Sequence, residues 1–190
     1  MPTIYAEQYE VDTRTRNILM AISLENSQAS LRQLYELYGG QVYRYVGLFV
    51  RDRTAVDEIV SDVFIALWNN RRALQQVSNF QAYIYRVAKF KAVDHIRREK
   101  SRMSLMNDDM LELFSGTDTS PEDDCISDET VRQINSAIES LPPKCRMAFK
   151  LIREDKMKYK DAAELMDVSV KTLESHIRLA MKKIFSVLSR

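Results

Sequence analysis

Glycine and proline are scarce in this chain, four of each among 190 residues. Little in it therefore breaks a helix, and an all-helical protein is the first expectation. Cysteine is scarcer still. Cys125 and Cys145 make neither a zinc-ligand spacing nor a disulfide framework, which points to a reducing, cytoplasmic setting. No run approaches the ~20 apolar residues of a membrane span. The start, Met1-Pro2-Thr3-Ile4-Tyr5-Ala6-Glu7, lacks the basic residues and apolar stretch of a secretion signal. A Gly-rich nucleotide loop, a metal-ligand cluster and a nucleophile–base spacing are missing too. Catalysis, a cofactor and a metal ion have no foothold.

Net charge also looks absent: 28 Lys and Arg stand against 27 Asp and Glu, a total of +1. That balance conceals an uneven layout. Residues 101–130 hold nine acids and one base, a net of −8, which leaves +9 on the remainder. A basic protein with an acidic belt is a candidate partner for polyanions.

What is present is helical periodicity, in two blocks. Residues 1–13 are polar and aperiodic and read as an extension. From about Arg14 to Arg98 the pattern is helical, with interruptions expected near Glu25–Ser27, at Gly39-Gly40, over Arg51–Thr54 and around Asn69–Asn79. Residues 101–129 read as a flexible acidic linker, within which Met106–Phe114 has enough pattern for a short helix. Helical pattern resumes over 130–190. With 45% apolar residues each block can bury a core of its own.

The stretch Thr54–Asn69 is the clearest helix of the first block. Val56, Ile59, Val60, Val63, Phe64, Leu67 and Trp68 form a continuous apolar stripe. Thr54 is the expected N-cap, with Asp57 three residues on in capping-box position. On the opposite side Glu58, Ser61, Asp62, Ile65 and Asn69 share one narrow sector, so an isoleucine sits among acids away from the core. That sector reads either as a solvated face or as a docking face for another protein.

From Gln81 to Lys100 six bases (Arg86, Lys89, Lys91, Arg97, Arg98, Lys100) outnumber two acids, and Phe80, Tyr83, Tyr85 and Phe90 are interleaved with them. Bases neutralise phosphates and aromatics stack on unpaired nucleobases, so the mixture suits melted or single-stranded nucleic acid. Phe80, Tyr83, Ile84 and Val87 read equally well as core. His95 has no Cys or His at ligand spacing.

In the second block Ile134, Ile138 and Leu141 share a face, and Pro142-Pro143 ends one helix and opens the next, whose apolar side is Ala148, Phe149, Leu151 and Ile152. Tyr159–Met166, a turn at Asp167-Val168-Ser169, and Val170–Arg178 have the spacing of a helix-turn-helix. Asp167 tolerates a left-handed turn position and Ser169 caps the second helix. Val170, Leu173, Ile177, Ala180 and Ile184 are expected to face inward. Lys171, Glu174, Ser175, Arg178 and Lys182 form the opposite stripe, flanked by His176 and Lys183, residue types that reach base edges and phosphates in a major groove.

With these motifs in this order, the chain resembles the extracytoplasmic-function (ECF) sigma factors of the sigma-seventy family, promoter-reading subunits of bacterial RNA polymerase. The likeness spans about residues 15–100 and 130–188. Ala55–Trp68 is similar to the family's core-polymerase-binding helix. Tyr85-Arg86-Val87-Ala88 and Val93–Arg98 are similar to its melting and minus-ten-reading segment, and Leu141–Ile184 to its minus-thirty-five-reading domain. Ser61 stands where many members have Gln, and Phe90 where an Asn is common. The extra middle domain of larger sigma factors has no counterpart here.

The resemblance implies a fold of two small helical domains, a region 2-like bundle over 14–100 and a region 4-like helix-turn-helix domain over 130–190. It implies that Asp57, Glu58, Ser61, Asp62 and Ile65 bind core polymerase. It gives Asn79, Phe80, Tyr83, Arg86, Lys89, Arg97 and Arg98 to minus-ten recognition and melting. Lys171, Thr172, Glu174, Ser175, His176, Arg178, Lys182 and Lys183 fall to the minus-thirty-five element. The implied partners are core RNA polymerase (the largest subunit's coiled coil and the flap region), promoter DNA and an anti-sigma factor, membrane-bound in some cases, with no small-molecule substrate. The competing reading is a two-component or quorum-type regulator, whose first half would be an α/β receiver or ligand-binding domain. A third is an adaptor or anti-sigma protein without DNA contact, which leaves the polar stripe of the second block unexplained.

Overall fold

The computed structural model describes residues 3–104 and 129–188, with side chains over 12–101 and 132–187. The chain divides into two compact units, Met1–Asn107 and Asp108–Arg190. Among the described residues there is no strand, so the α/β first half required by the regulator reading is not what this sequence builds.

The first unit consists of α1 (Thr3–Glu25), α2 (Gln28–Val46), α3 (Arg53–Asn69), a 3-10 segment (Arg71–Gln76) and α4 (Phe80–Ser104). Residues 1–13, read from sequence as an extension, are helical from Thr3 onward. Thr15, Ile18, Leu19 and Ile22 are buried at helical spacing, and Thr15 Oγ1 lies 3.0 Å from the Tyr38 hydroxyl of α2. Once that seam is docked, extending the helix toward the N-terminus adds one hydrogen bond per residue without a new nucleation cost. α4 likewise runs past the expected linker start at 101. The rest of the linker, with the short helix expected over Met106–Phe114, lies outside the described residues.

The expected break at Gly39-Gly40 does not occur; both glycines sit inside α2. Leu34, Tyr38, Val42, Tyr45 and Val46 all bury on one side of that helix. Each such burial is worth about 1.5–3 kcal/mol, more than the ~1 kcal/mol that a helical glycine forfeits relative to alanine. Gly39 is where the Tyr35 ring lies down, a Cβ there coming within 3.4 Å of it, and Tyr35 in turn meets Phe64 of α3 at 4.9 Å between centroids.

α3 buries Val56, Ile59, Val60, Val63, Phe64 and Leu67 as its periodicity predicts, while Trp68 stays half-buried. Its N-cap is Asp52 and not Thr54: the Asp52 carboxylate accepts the Thr54 N–H at 3.1 Å. Asp52 is the last residue with extended backbone before the helix, which is where a capping oxygen must sit. α4 packs on α2 and α3 through Phe80, Ile84, Tyr85, Ala88 and Ala92. Tyr85 meets Tyr45 at 4.7 Å.

The second unit holds α5 (Glu129–Glu139), α6 (Pro143–Phe149) running into a π-helical turn (Lys150–Glu154), α7 (Tyr159–Leu165) and α8 (Val170–Leu188). Ala137, Ile138, Leu141, Cys145, Ala180 and Ile184 form one core cluster, with Ile134 and Phe149 at its margin. Between α7 and α8 the chain turns on Asp167, which is left-handed at φ 54°. The Val168 N–H returns to the Ala163 carbonyl at 3.0 Å. Ser169 then caps α8 by accepting the Thr172 N–H at 3.0 Å.

Candidate nucleic-acid and partner interfaces

On α3 the face opposite the buried stripe carries Asp57, Glu58, Ser61, Asp62 and Ile65, all exposed. Ile65 is 55% exposed, although nothing in a capped, amphipathic helix requires an isoleucine there. The Ser61 hydroxyl donates back to the Asp57 carbonyl at 2.9 Å and so offers its oxygen, not its proton, to a partner. Between α3 and α4 runs an open groove of about 510 Å³ bordered by Asp57, Glu58, Asp62, Lys91, His95 and Arg98. Lys91 Nζ bridges it to Asp62 at 3.4 Å, and Arg98 pairs with Asp94 one turn back at 2.6 Å.

α4 sorts its aromatics in a way the sequence left open. Phe80 is buried and set edge-on against Tyr38 at 5.1 Å. Its assignment to the minus-ten surface is therefore corrected: a ring buried in the core, 6% exposed, has no free face for a nucleobase. Asn79, also assigned to that surface, accepts the Ala82 N–H at 3.1 Å and starts the helix. Tyr83 is half-buried, and Arg86, Arg97 and Arg98 are exposed, with Lys89 half-buried. The exposed ring is Phe90, at 70%, outside the set of site residues expected from sequence. It borders a mainly apolar hollow of about 360 Å³ with Tyr83, Val87, Ala66, Asn70, Arg86 and Lys91. Charge flanks this aromatic hollow on the α4 side, the chemistry that holds an unstacked base. The signal available in sequence was position: Phe90 falls out of phase with the buried set Ile84, Tyr85, Ala88 and Ala92.

The segment entering α4 is held from below. Leu74 is fully buried and Arg72, Ala73, Gln75 and Gln76 are exposed. Arg71 lies over the Trp68 ring at 4.8 Å from its centroid.

On α8 Lys171, Thr172, Glu174, Ser175, Arg178 and Lys182 are exposed along one side, and Leu173, Ile177, Ala180 and Ile184 are buried on the other. Three assignments change. Val170, the first residue of α8, is 41% exposed and not turned inward as expected. His176 is half-buried, its Nδ1 3.6 Å from Cys145 Sγ on α6, so one ring nitrogen is turned to the domain and not to solvent. Lys183 bonds the Ser140 carbonyl at the end of α5, which engages its ammonium within the unit. Thr172 contributes to the cap through its contact with the Ser169 hydroxyl at 2.8 Å. Burial pushes the Cys145 thiol pKa up, and the nearby Lys183 ammonium partly offsets it. Leu179 at 50% and Phe185 at 59% add exposed apolar surface outside the expected site residues.

Comparison with known proteins matches each unit to a family description: Sigma-70 region 2 over residues 34–102 and Sigma-70, region 4 over residues 131–184. Over 161 residues the chain is 20% identical to the ECF RNA polymerase sigma factor SigM of Bacillus subtilis, covering 85% of this chain and 96% of that one. The fold is similar to the sigma factor RpoE of Bartonella quintana, solved with the anti-sigma factor NepR. There the TM-score is 0.61 and the identity 16%, over 83% of this chain and 96% of the other. It is also similar to CnrH, solved with the cytosolic domain of CnrY, at a TM-score of 0.56 and 23% identity over 92% and 97% of the two chains. CnrH is a sigma factor of Cupriavidus metallidurans.

Proposed function

Because this chain belongs to the sigma-70 family as an ECF sigma factor, an alternative sigma factor that directs RNA polymerase to promoters, we propose that α3 docks core polymerase, that the 3-10 segment and α4 open and read the minus-ten element, and that α8 reads the minus-thirty-five element. The observation that carries the docking assignment is Ile65, exposed among Asp57, Glu58, Ser61 and Asp62 on the side opposite a complete buried stripe. An apolar contact ringed by acids fits a basic-rimmed helical partner, with the isoleucine supplying burial and the acids supplying register and steering.

The work of opening DNA is divided over the first unit. Arg86, Arg97 and the bases near them neutralise phosphates. The hollow beneath Phe90 takes a base once it leaves the stack, which lowers the energy of the melted state relative to the duplex. No bond is made or broken by the protein itself; it acts by binding the open form better than the closed one. The minus-thirty-five contact is then a conventional major-groove reading by Lys171, Glu174, Ser175 and Arg178, with Lys182 on phosphate. We assign the first two roles to the unit built of α1 to α4 and the third to the unit built of α5 to α8.

The solved complexes of RpoE with NepR and of CnrH with the CnrY domain support a third partner for this chain, an inhibitory anti-sigma protein. Among the described residues no helix is long and apolar enough to cross a membrane, and the reading places the chain in the cytoplasm, where polymerase is.

The test is core-polymerase affinity of the full chain carrying Asp62→Lys and Ile65→Ala together. Binding should weaken at least tenfold, since loss of an apolar contact and reversal of a charge each cost about 1 kcal/mol or more at an interface, while helicity and Tm stay nearly unchanged. Unaltered affinity would remove α3 as the docking element. Run-off transcription with core polymerase on a genomic promoter library tests the function as a whole.

A further inference from the structure

The 3-10 segment Arg71–Gln76 is short, polar on its outer side and joined to α4 by three residues, a stretch that local propensity alone would not hold in one shape. The structure holds it with α1. Asn26, in the elbow between α1 and α2, is left-handed at φ 52°, and its side-chain oxygen accepts Arg71 Nε at 2.6 Å. The same guanidinium donates through Nη1 to the Trp68 carbonyl at 3.0 Å and stacks on the Trp68 ring. A second tie comes from one turn back on α1, where the Ser23 hydroxyl donates to the Arg72 carbonyl at 3.3 Å. Leu74, fully buried, pins the middle.

Arg71 thus joins three places: the α1–α2 elbow, the end of α3 and the start of the 3-10 segment. Its planar fork is satisfied on two edges and one face at once, a geometry lysine cannot reproduce. What remains on the outside is the edge formed by Arg72, Gln75 and Gln76, all exposed. Gln75 Nε2 leans back to the Arg72 carbonyl at 3.4 Å.

We propose that Asn26, acting through Arg71, is a positioning residue for promoter reading: the α1–α2 elbow sets the orientation of the Arg72–Gln75–Gln76 edge toward the unpaired minus-ten base. This rests on the reading of the 3-10 segment and α4 as the minus-ten element. α1 is then a support for the reading edge as well as a wall of the core. A preorganised edge meets one base geometry and rejects others, so the support acts on selectivity more than on affinity.

Asn26 allows the backbone and the side chain to be separated. Asn26→Gly keeps the left-handed conformation, which glycine adopts freely, and deletes only the acceptor. Asn26→Asp keeps the acceptor. Reconstituted holoenzyme carrying each variant would be assayed on promoters with all four bases at each unpaired minus-ten position, opening being followed by a fluorescent purine analogue beside it. Asn26→Gly should flatten the base preference by roughly twofold to tenfold, the range a single hydrogen bond carries, with core affinity held and Tm lowered by no more than the loss of that one bond. Asn26→Asp should restore the profile.

Gln75→Ala and Gln76→Ala act as the control on the underlying reading. If they leave the profile unchanged, the segment does not read the promoter and the proposal falls with it. If they alter the profile but Asn26→Gly does not, the reading stands and the positioning role alone is overturned. The role is overturned equally if Asn26→Gly is silent while Arg71→Ala lowers the salt dependence of promoter binding, because Arg71 then acts as a direct phosphate contact.

Discussion

Lys91 of α4 reaches Asp62 of α3 across an open groove, Nζ to Oδ2 3.4 Å. A base from the proposed nucleic-acid face therefore neutralises an acid of the proposed docking face. The pair is partly exposed on both sides, 30% for Lys91 and 56% for Asp62, so it adds at most about 1 kcal/mol to folding. A basic partner that took Asp62 would release Lys91, which borders the hollow under Phe90.

Lys91→Met should consequently leave Tm almost unchanged and tighten core-polymerase binding by a few-fold, the equivalent of less than about 1 kcal/mol. The same change should weaken capture of a melted promoter, because one base beside the hollow is gone. Titration of core polymerase and of a pre-melted promoter against the variant separates the two effects. Weaker core binding would mean that Lys91 itself contacts polymerase.

Phe80 and Phe90 invite opposite expectations from one substitution. Phe80→Ala removes a buried ring and should cost about 3–5 kcal/mol of stability. Phe90→Ala removes an exposed one, so Tm should hold, while promoter opening loses about 1–3 kcal/mol, the worth of one base–aromatic stack. Thermal melting and permanganate footprinting on the same pair of proteins decide it. Equal opening by wild type and Phe90→Ala would empty the hollow of its proposed role.

The contrast marks where sequence is sufficient and where it is not. The stripe of α3 and the cap and turn of the helix-turn-helix were legible because period and capping chemistry are local. So was the contrast in surface chemistry between an acid-faced helix, α3, and a basic, aromatic one, α4. Phe80 and Phe90 differ in helical phase, but phase alone does not name the neighbour that covers a ring, here Tyr38 from another helix. Gly39 and Gly40 misled for the same reason: propensity points to a break, and packing of Tyr38, Val42 and Tyr45 overrides it. The turn of His176 toward Cys145 is likewise a contact between residues on α6 and α8, beyond the reach of any local pattern.

Gly40 gives a prediction about stability alone. It is helical, without a positive φ, and the nearest atom to an added Cβ is the end of the Arg44 side chain at 3.6 Å. Gly40→Ala should stabilise the first unit by about 0.5–1 kcal/mol, mainly by restricting the unfolded chain. Chemical denaturation should show a higher midpoint at an unchanged slope. A lower midpoint would mean that this face of α2 has a packing demand its exposure conceals.

The last prediction concerns how α8 divides its contacts. Arg178 and Lys182 lie one turn apart on the exposed side, but their chemistry differs. A guanidinium presents a planar pair of donors that matches the two acceptors on a guanine edge, whereas an ammonium is a point charge suited to phosphate. Arg178→Ala should therefore change which minus-thirty-five sequences holoenzyme prefers, by about 1–3 kcal/mol at the affected position. Lys182→Ala should weaken all sequences alike and reduce the salt dependence by about one ion. Lys183 and His176 supply the comparison. Their side chains are engaged by the Ser140 carbonyl and by Cys145, so Lys183→Ala should alter the salt dependence less than Lys182→Ala does. His176→Gln should move base preference less than Arg178→Ala does. Promoter selection from a randomised upstream element, run at two salt concentrations with full-length protein and core polymerase, reads all four at once. A sequence-specific effect from Lys182, or none from Arg178, would mean that α8 lies in the groove at a different rotation from the one its exposed stripe implies.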